Sequence, residues 1–386
     1  MKSAMPAGVV ALGLVSLFMD MSSEMIHALL PLYLTGTLGA SALVVGLIEG
    51  VGEAVAQITK LGSGYFSDLM GRRKPLAVLG YGLSAATKPL FALATSAGWI
   101  LGARVVDRVG KGIRGAPRDA LVADMVPAAQ RGAAYGLRQS LDTVGAFAGP
   151  LLAMGFMLAL AGNVRLIFAL AVIPAVISVG ILLIFVREAP ASGPMKAVRI
   201  DRAALRALGP GTWAAIGTGS VMTLARVSEA FLILRAGEAG LAMAFAPLVL
   251  VVMNAVYAGT AWPVGILADR IGARGLMAAG FAVLVLADLV LGFGEGVWPM
   301  FGGVALWGLH MGLTQGLLSA LVAEATPAPL RGTAFGVFGL ATGIALLIGN
   351  GVAGAVWAGY GSQATFLLGA AVAGVALLAG MWRGRA

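Results

Sequence analysis

Cysteine is absent from the 386 residues, which excludes disulfides and thiolate-bound metals or clusters. Histidine nearly is: His27 and His310 alone are too few for a soluble-type zinc centre, and no bound metal or cofactor is expected. Charge is scarce as well, at 11% of residues against about 25% in an ordinary soluble domain. No G-x-x-x-x-G-K-[ST] phosphate loop occurs, since Gly110-Lys111-Gly112 lacks that spacing. A cleavable leader is not expected either. The first apolar stretch is about 30 residues long and carries Asp20 and Glu24, unlike the short apolar core of a signal peptide. What fills the chain instead is apolar side chain, 59% by count, with 57 glycines that follow no Gly-X-Y period. The mean hydropathy is +0.94. A soluble fold of this size cannot hide so much apolar surface, so the chain reads as a polytopic, all-α membrane protein.

A membrane helix takes about 20 apolar residues. Turn and charge punctuation predicts twelve segments, at 8–34, 43–66, 75–95, 98–123, 133–160, 165–186, 210–234, 240–267, 275–293, 298–323, 333–358 and 364–382. Long apolar runs without alternation exclude barrel strands. One long polar connection, 187–209, carries Arg187, Lys196, Arg199, Arg202 and Arg206. It divides the chain into a six-helix bundle at 1–186, a linker at 187–209 and a second bundle at 210–386.

Lys and Arg set the orientation. Lys2, Arg72, Arg73, Lys74, Arg131, the five linker residues, Arg270, Arg274, Arg331, Arg383 and Arg385 fall in one set of loops and termini. Only Arg165 and Arg235 fall in the other. Both termini and the linker are therefore expected in the cytoplasm, with the chain in the cytoplasmic (inner) membrane. The net charge of +9 is a property of these loops, because acids and bases within the segments balance. No nucleic-acid partner is needed to explain it.

The halves repeat. Pro127-xxx-Arg131-Gly132-x-Ala134-Tyr135-Gly136 returns as Pro327-xxx-Arg331-Gly332-x-Ala334-Phe335-Gly336, 200 residues on. Gly64-xxx-Asp68-xx-Gly71 returns as Gly265-xxx-Asp269-xx-Gly272, 201 residues on. Six crossings separate the copies, so the repeats are parallel in topology, as in one large class of secondary transporters.

Gly64-Tyr-Phe-Ser-Asp68-Leu-Met-Gly71-Arg72-Arg73-Lys74 resembles the loop signature G-x-x-x-D-x-x-G-R-[RK] of the major facilitator superfamily. Gly265 to Arg274 is its second copy, with Ala273 where a second basic residue often stands. Arg104 resembles the family's fourth-helix arginine, and Gly145-xxx-Gly149-Pro150 is similar to the fifth-helix motif of its antiporters. The likeness runs closest to drug:proton antiporter-like members. It implies twelve helices in two pseudo-symmetric bundles, a mid-membrane cavity lined by helices 1, 4, 7 and 10, and a monomer working by alternating access. It also gives Gly64, Asp68, Gly71, Arg72, Arg73, Gly265, Asp269, Gly272 and Arg274 a gating role.

Each charge inside a bilayer costs several kcal/mol unless paired or hydrated. At about 100° per residue, Asp20, Glu24 and His27 share one face of segment one, and Glu49 and Glu53 share one face of segment two. Arg104, Asp107, Arg108 and Lys111 lie on one side of segment four. Arg226 and Glu229 in segment seven, and His310 and Gln315 in segment ten, complete the candidate cavity. Asp20, Glu24, Glu49 and Glu53 are the candidates for proton coupling, because crowded desolvated carboxylates cannot all stay ionised. Arg138 and Asp142, four apart, read as a structural pair, and Lys88 and Asp288 as inter-helix partners. Met19, Met21 and Met25 give only a weak soft-metal signal.

With no phosphate loop, an ion gradient is the expected energy source, and the carboxylates favour protons. The substrate is a small molecule of open identity. The acids fit a lipophilic or cationic compound exported against protons, the reading the fifth-helix motif favours. The bases of segment four fit an organic anion or metal chelate carried in symport. An enzyme acting on lipid head groups and a channel are remote alternatives.

Overall fold

The computed structural model describes residues 5–70, 72–127, 130–188, 202–327 and 330–383. Among them every regular element is helical. We number the helices by crossing: α1 (Ala7–His27), α2 (Ala42–Met70), α3 (Lys74–Ala92), α4 (Ala97–Asp124), α5 (Arg131–Ala159), α6a (Val164–Leu170) and α6b (Val172–Phe185). The second half follows with α7a (Pro210–Ala225), α7b (Glu229–Glu238), α8 (Leu248–Ile271), α9 (Ala273–Phe293) and α10 (Val297–Glu324). Arg331–Arg383 is continuous except at Gly361, whose φ of 86° breaks it into α11 and α12. A β-carbon disfavours that left-handed backbone, so glycine is the residue that can turn there.

Eight helical stretches among the described residues are long and apolar enough to span a bilayer, and the one at Arg331–Leu378 spans both α11 and α12. The expected crossings outside these eight stretches have plain reasons to be. α4 is loaded with charge, α3 carries lysines and prolines, and α7 is broken into two short pieces. Segment one also departs from a single helix. After α1 the chain forms a short helical piece, Leu30–Leu32, with Pro31 at its centre, and then a π turn, Tyr33–Thr37. Proline removes a backbone donor and disturbs the preceding turn. Most of the predicted linker, 189–201, lies outside the described residues. Arg202–Ala207 forms one short helix before α7a.

The chain forms two compact units, Met1–Leu30 with Val55–Arg199, and Pro31–Ala54 with Ile200–Ala386. The stretch Pro31–Ala54 thus joins the second unit. There a β-carbon on Gly50 would stand 3.0 Å from Leu347 Cα, and one on Gly354 would stand 2.6 Å from Ala42 O. Glycine lets these backbones touch.

In the first unit α1 packs on α5 and α6b, and α3 packs on α4. Val9, Leu12, Val15 and Met19 of α1 meet Tyr81, Leu121 and Leu182 in one apolar core. Met19 and Met25 are both buried, so they serve packing. In the second unit α8 and α9 pack on α10, and Phe231, Trp357 and Phe366 stack at 5.6 and 5.9 Å between ring centres. Ile173, Val176, Ile184 and Phe185 of α6, and Val375 and Leu378 of α12, are exposed apolar side chains. Bands of this kind on helices without interior charge face lipid.

The repeat recurs as packing. A β-carbon at Gly112 of α4 would lie 2.5 Å from Thr59 Cβ of α2, and one at Gly312 of α10 would run into Thr260 of α8. The two contacts stand at sequence offsets of 200 and 201, the same as the loop motifs.

Candidate transport site

α4 carries eight charged residues, from Arg104 to Asp124. Ser96 caps its start by accepting from Trp99 N at 3.3 Å. Gly110 and Gly112 then bring its backbone against α3 and α2. That close approach draws the charged face of α4 inside the unit, where Arg104, Asp107, Arg108 and Arg114 are buried. Each meets a partner on another helix or a neighbouring turn.

Lys88 Nζ of α3 sits 3.0 Å from Asp107 Oδ1 and donates to Ser23 Oγ at 3.0 Å. Both charged groups are buried. Lys88 is thus the inter-helix partner its position implied, and it takes up Asp107, which was expected among the cavity residues. Arg114 donates to Ser84 Oγ at 2.8 Å, lies 4.6 Å from the centre of the Tyr81 ring and stands 3.9 Å from Asp20 Oδ1. Arg118 binds Asp119 at 3.0 Å. Arg138 of α5 reaches Asp119 at 3.9 Å and Asp142 at 3.8 Å.

The α1 acids face this basic wall. Glu24 Oε2 is 3.4 Å from His27 Nδ1 and within electrostatic reach of Lys111 and Arg108. Asp20 lies within reach of Lys111 and Arg114, and its carboxyl is within hydrogen-bonding distance of the Asp142 carboxyl. Lys111 itself is exposed, one turn from buried Arg108 and Arg114. The structure therefore brings together Asp20, Glu24, His27, Arg108 and Lys111 of the predicted set. Asp142 belongs with them, and the sequence reading missed it because its i,i+4 partner Arg138 already explained it. Arg104 is buried on the same helix.

In the second unit the predicted residues gather at the break in α7. Arg226 N still bonds Met222 O at 3.3 Å, but Ser228 N turns away to Asn350 Oδ1 of α11 at 2.7 Å. Ser228 then caps α7b through Ala230 N at 3.2 Å. Arg226 stands in this break within electrostatic reach of Glu229, Tyr257 and Glu53. Glu49, on the same stretch of α2, is buried. His310 is fully buried with Nδ1 on Gly280 O at 2.8 Å and lies within electrostatic reach of Arg226. Gln315 is half-buried on α10. Asn350 and Tyr257 were not singled out in the sequence, since nothing there foretells the helix break they attend.

Asp288 of α9 contradicts its reading as an inter-helix partner. It is buried, its Oδ2 has no hydrogen-bond partner, and the position facing it is Gly369, where a β-carbon would stand 2.6 Å from that oxygen.

Of the gating motif, Gly71 and the side chains of Asp68, Asp269 and Arg274 lie outside the described residues. Gly64 packs a β-carbon's width from Ala116 of α4, and Arg72 is exposed. Arg73 Nη1 binds Asp124 Oδ2 at 2.8 Å at the end of α4. Glu188, just after α6b, accepts from Arg73 N and, at 3.2 Å, from Lys74 N, and so caps the start of α3. Gly272 holds φ 86° between α8 and α9, and Gly265 faces open space. In the helix-5 motif, Gly145 and Gly149 put α5 against the backbone of α1 at Leu17 and Met21, and Pro150 is buried beside them.

The pattern of the Major Facilitator Superfamily matches this chain over residues 12–234 and 214–385. An uncharacterized MFS-type transporter of Methanocaldococcus jannaschii is 32% identical over 371 residues, covering 94% of this chain and 91% of its own. A crystal structure of the nucleoside transporter NupG, a D323A mutant, superposes with a TM-score of 0.82 at 14% identity, covering 97% of this chain and 99% of that one. A POT family transporter in complex with a thioalcohol-conjugated peptide gives 0.81 at 14% identity, over 100% and 97%. The fold and this coverage define a multi-pass membrane transporter rather than an enzyme. The chain belongs to the major facilitator superfamily.

Proposed function

We propose that this chain is a proton-coupled secondary transporter of a small molecule in the cytoplasmic membrane, acting as a monomer by alternating access. The carrying observation is the cluster in the first unit, where Asp20 and Glu24 of α1 meet Lys111 and Arg114 of α4. Such a set can trade a proton for a substrate charge, because each carboxylate's charge state depends on a movable neighbour. Asp20, Glu24, Glu49 and Glu53 are the coupling candidates, with Asp20 first. Residues 1–186 and 210–386 serve as the two rocking bundles, joined by a cytoplasmic linker at 187–209 with both termini on the same side. Asp68 and Asp269, in their loops, bias the gate between states.

Export in exchange for protons, in the manner of drug:proton antiporters, is the direction we assign, from the fifth-helix motif. A second reading, uptake of an organic anion or metal chelate with protons, draws on exposed Lys111 beside Arg108. The neighbours by fold include nucleoside, peptide and organic anion transporters. The test is therefore a proteoliposome assay with labelled nucleosides, dipeptides, organic anions and lipophilic cations. Antiport predicts accumulation when the lumen is acid, and symport when the lumen is alkaline. Accumulation of a panel compound that ignores the pH gradient sinks the proton-coupled reading.

A further inference from the structure

α1 and α5 approach so closely that only glycine fits between them. A β-carbon on Gly149 would stand 2.6 Å from Met21 O and 2.8 Å from Glu24 Cβ, Gly145 makes the same kind of contact with the Leu17 backbone, and Gly13 receives the Leu141 side chain. One turn of touching backbone, with the Leu141 side chain seated over Gly13, fixes the register of the helices and carries Asp142 to Asp20, with the two carboxyl groups within hydrogen-bonding distance. The bases nearby do not neutralise both. Arg114 stands 3.9 Å from Asp20 and Arg138 3.8 Å from Asp142, whereas Lys88–Asp107 and Arg118–Asp119 close to 3.0 Å. Arg138 Nε and Nη1 make no hydrogen bond, and buried Asp142 Oδ1 has no donor.

We infer that Asp20 and Asp142 hold one proton between them and that this shared proton is the one the transporter couples to its substrate. Two carboxylates in contact cannot both be charged cheaply in a low-dielectric interior, and a single proton gives the pair a donor and leaves one negative charge. The proton on an Asp20 oxygen supplies the donor that Asp142 Oδ1 lacks. Every charged group that faces the pair then has a place. Arg114 and Lys111 from α4 and Arg138 on α5 share the one remaining charge. Glu24 is occupied by His27 on α1, and Arg118 of α4 binds Asp119 while standing within electrostatic reach of Asp142. From α3, Tyr81 lies under Arg114 and beside Ser16. Arg138 reaches Asp119 and Asp142 almost equally, at 3.9 and 3.8 Å. A turn of the Arg138 side chain away from Asp119 and fully onto Asp142, with the helix register unchanged, stabilises the second negative charge, so that both carboxyls ionise and the proton is released.

This inference rests on the proton-coupled reading, but its first test needs no substrate. Infrared titration of the full-length protein in lipid vesicles, from about pH 5 to about pH 9, follows protonated carboxyl groups. The wild type should show a one-proton component that both Asp20→Asn and Asp142→Asn remove, while Glu24→Gln leaves it. Asp142→Glu should keep the component with a shifted midpoint, which separates loss of the pair from misfolding. A component that survives Asp142→Asn unchanged, or none in the wild type across the range, overturns the pair. Compounds found by the proteoliposome panel give the second arm. Asp142→Asn should lose at least tenfold of its gradient-driven accumulation and keep exchange at equal pH. Loss of the infrared component with accumulation intact also overturns the inference, since the shared proton is then not the coupled one. Accumulation in the wild type that ignores the gradient, with the component present, instead refutes the proton-coupled reading.

Discussion

Lys88 and Asp288 occupy equivalent places, 200 residues apart, and their fates differ because of what stands 19 residues on. Position 107 is aspartate, which pairs with Lys88 at 3.0 Å, while position 307 is a buried tryptophan. The carboxylate of Asp288 therefore has a buried oxygen with no donor. This asymmetry was legible in the offset of the repeat. What was not legible is that Gly369 stands opposite, since contacts between α9 and α12 follow from packing. The two positions should respond differently to truncation. Lys88→Ala strands a buried charge and should cost about 3–5 kcal/mol, because breaking one side of a buried pair leaves the other uncompensated. Asp288→Ala removes a polar group without a full set of partners and should be neutral or stabilise by about 1–3 kcal/mol. Thermal unfolding in detergent measures both, and a loss of stability in Asp288→Ala equal to that of Lys88→Ala contradicts the contrast.

Helices were the most readable level, and their interruptions the least. Capping and punctuation residues such as Pro6, Ser96 and Pro210 stand where helices begin, so hydropathy and punctuation were enough to place them. The break at 226–228 has no glycine or proline to announce it, since the residues are Arg226, Val227 and Ser228. It is held from another helix, by Asn350 accepting from Ser228 N at 2.7 Å. Asn350→Ala removes that acceptor from a buried amide and should destabilise the protein by about 1–3 kcal/mol, read by unfolding. An unchanged midpoint would mean that the break holds itself. The glycines of helix 5 were legible as a motif but not in what they do, which is to admit the backbone of α1. Gly149→Val overpacks that contact and should cost about 1–3 kcal/mol or more, whereas Gly155→Val, with open space around it, should stay within about 0.5 kcal/mol of the wild type. Equal effects would show that the contact does not limit stability.

At the scale of the molecule, twelve segments and a repeat could be read because each segment must satisfy its own backbone in lipid, whatever its partners. Even α4, with charge along one face, kept its glycines and its helical period. The membership of Pro31–Ala54 in the second unit could not be read, because the repeat divides the chain at its middle and says nothing of which stretch packs where. Pairings such as Asp20 with Asp142 were hidden for the same reason, as they join residues 122 apart. Orientation is the remaining property that rests on sequence alone, on fifteen basic residues in one set of loops against Arg165 and Arg235 in the other. Positive loops resist translocation and stay cytoplasmic. Since the chain has no cysteine, single cysteines report side without a background. Ser41, exposed in the short turn before α2, belongs to the sparse set, and Ser192 belongs to the basic linker. In right-side-out membrane vesicles a membrane-impermeant maleimide should label Ser41→Cys directly. Ser192→Cys should react only after the vesicles are opened. Direct labelling of Ser192→Cys in sealed vesicles would invert the topology and place the Arg73–Asp124 contact, and with it the proposed gate, on the opposite face of the membrane.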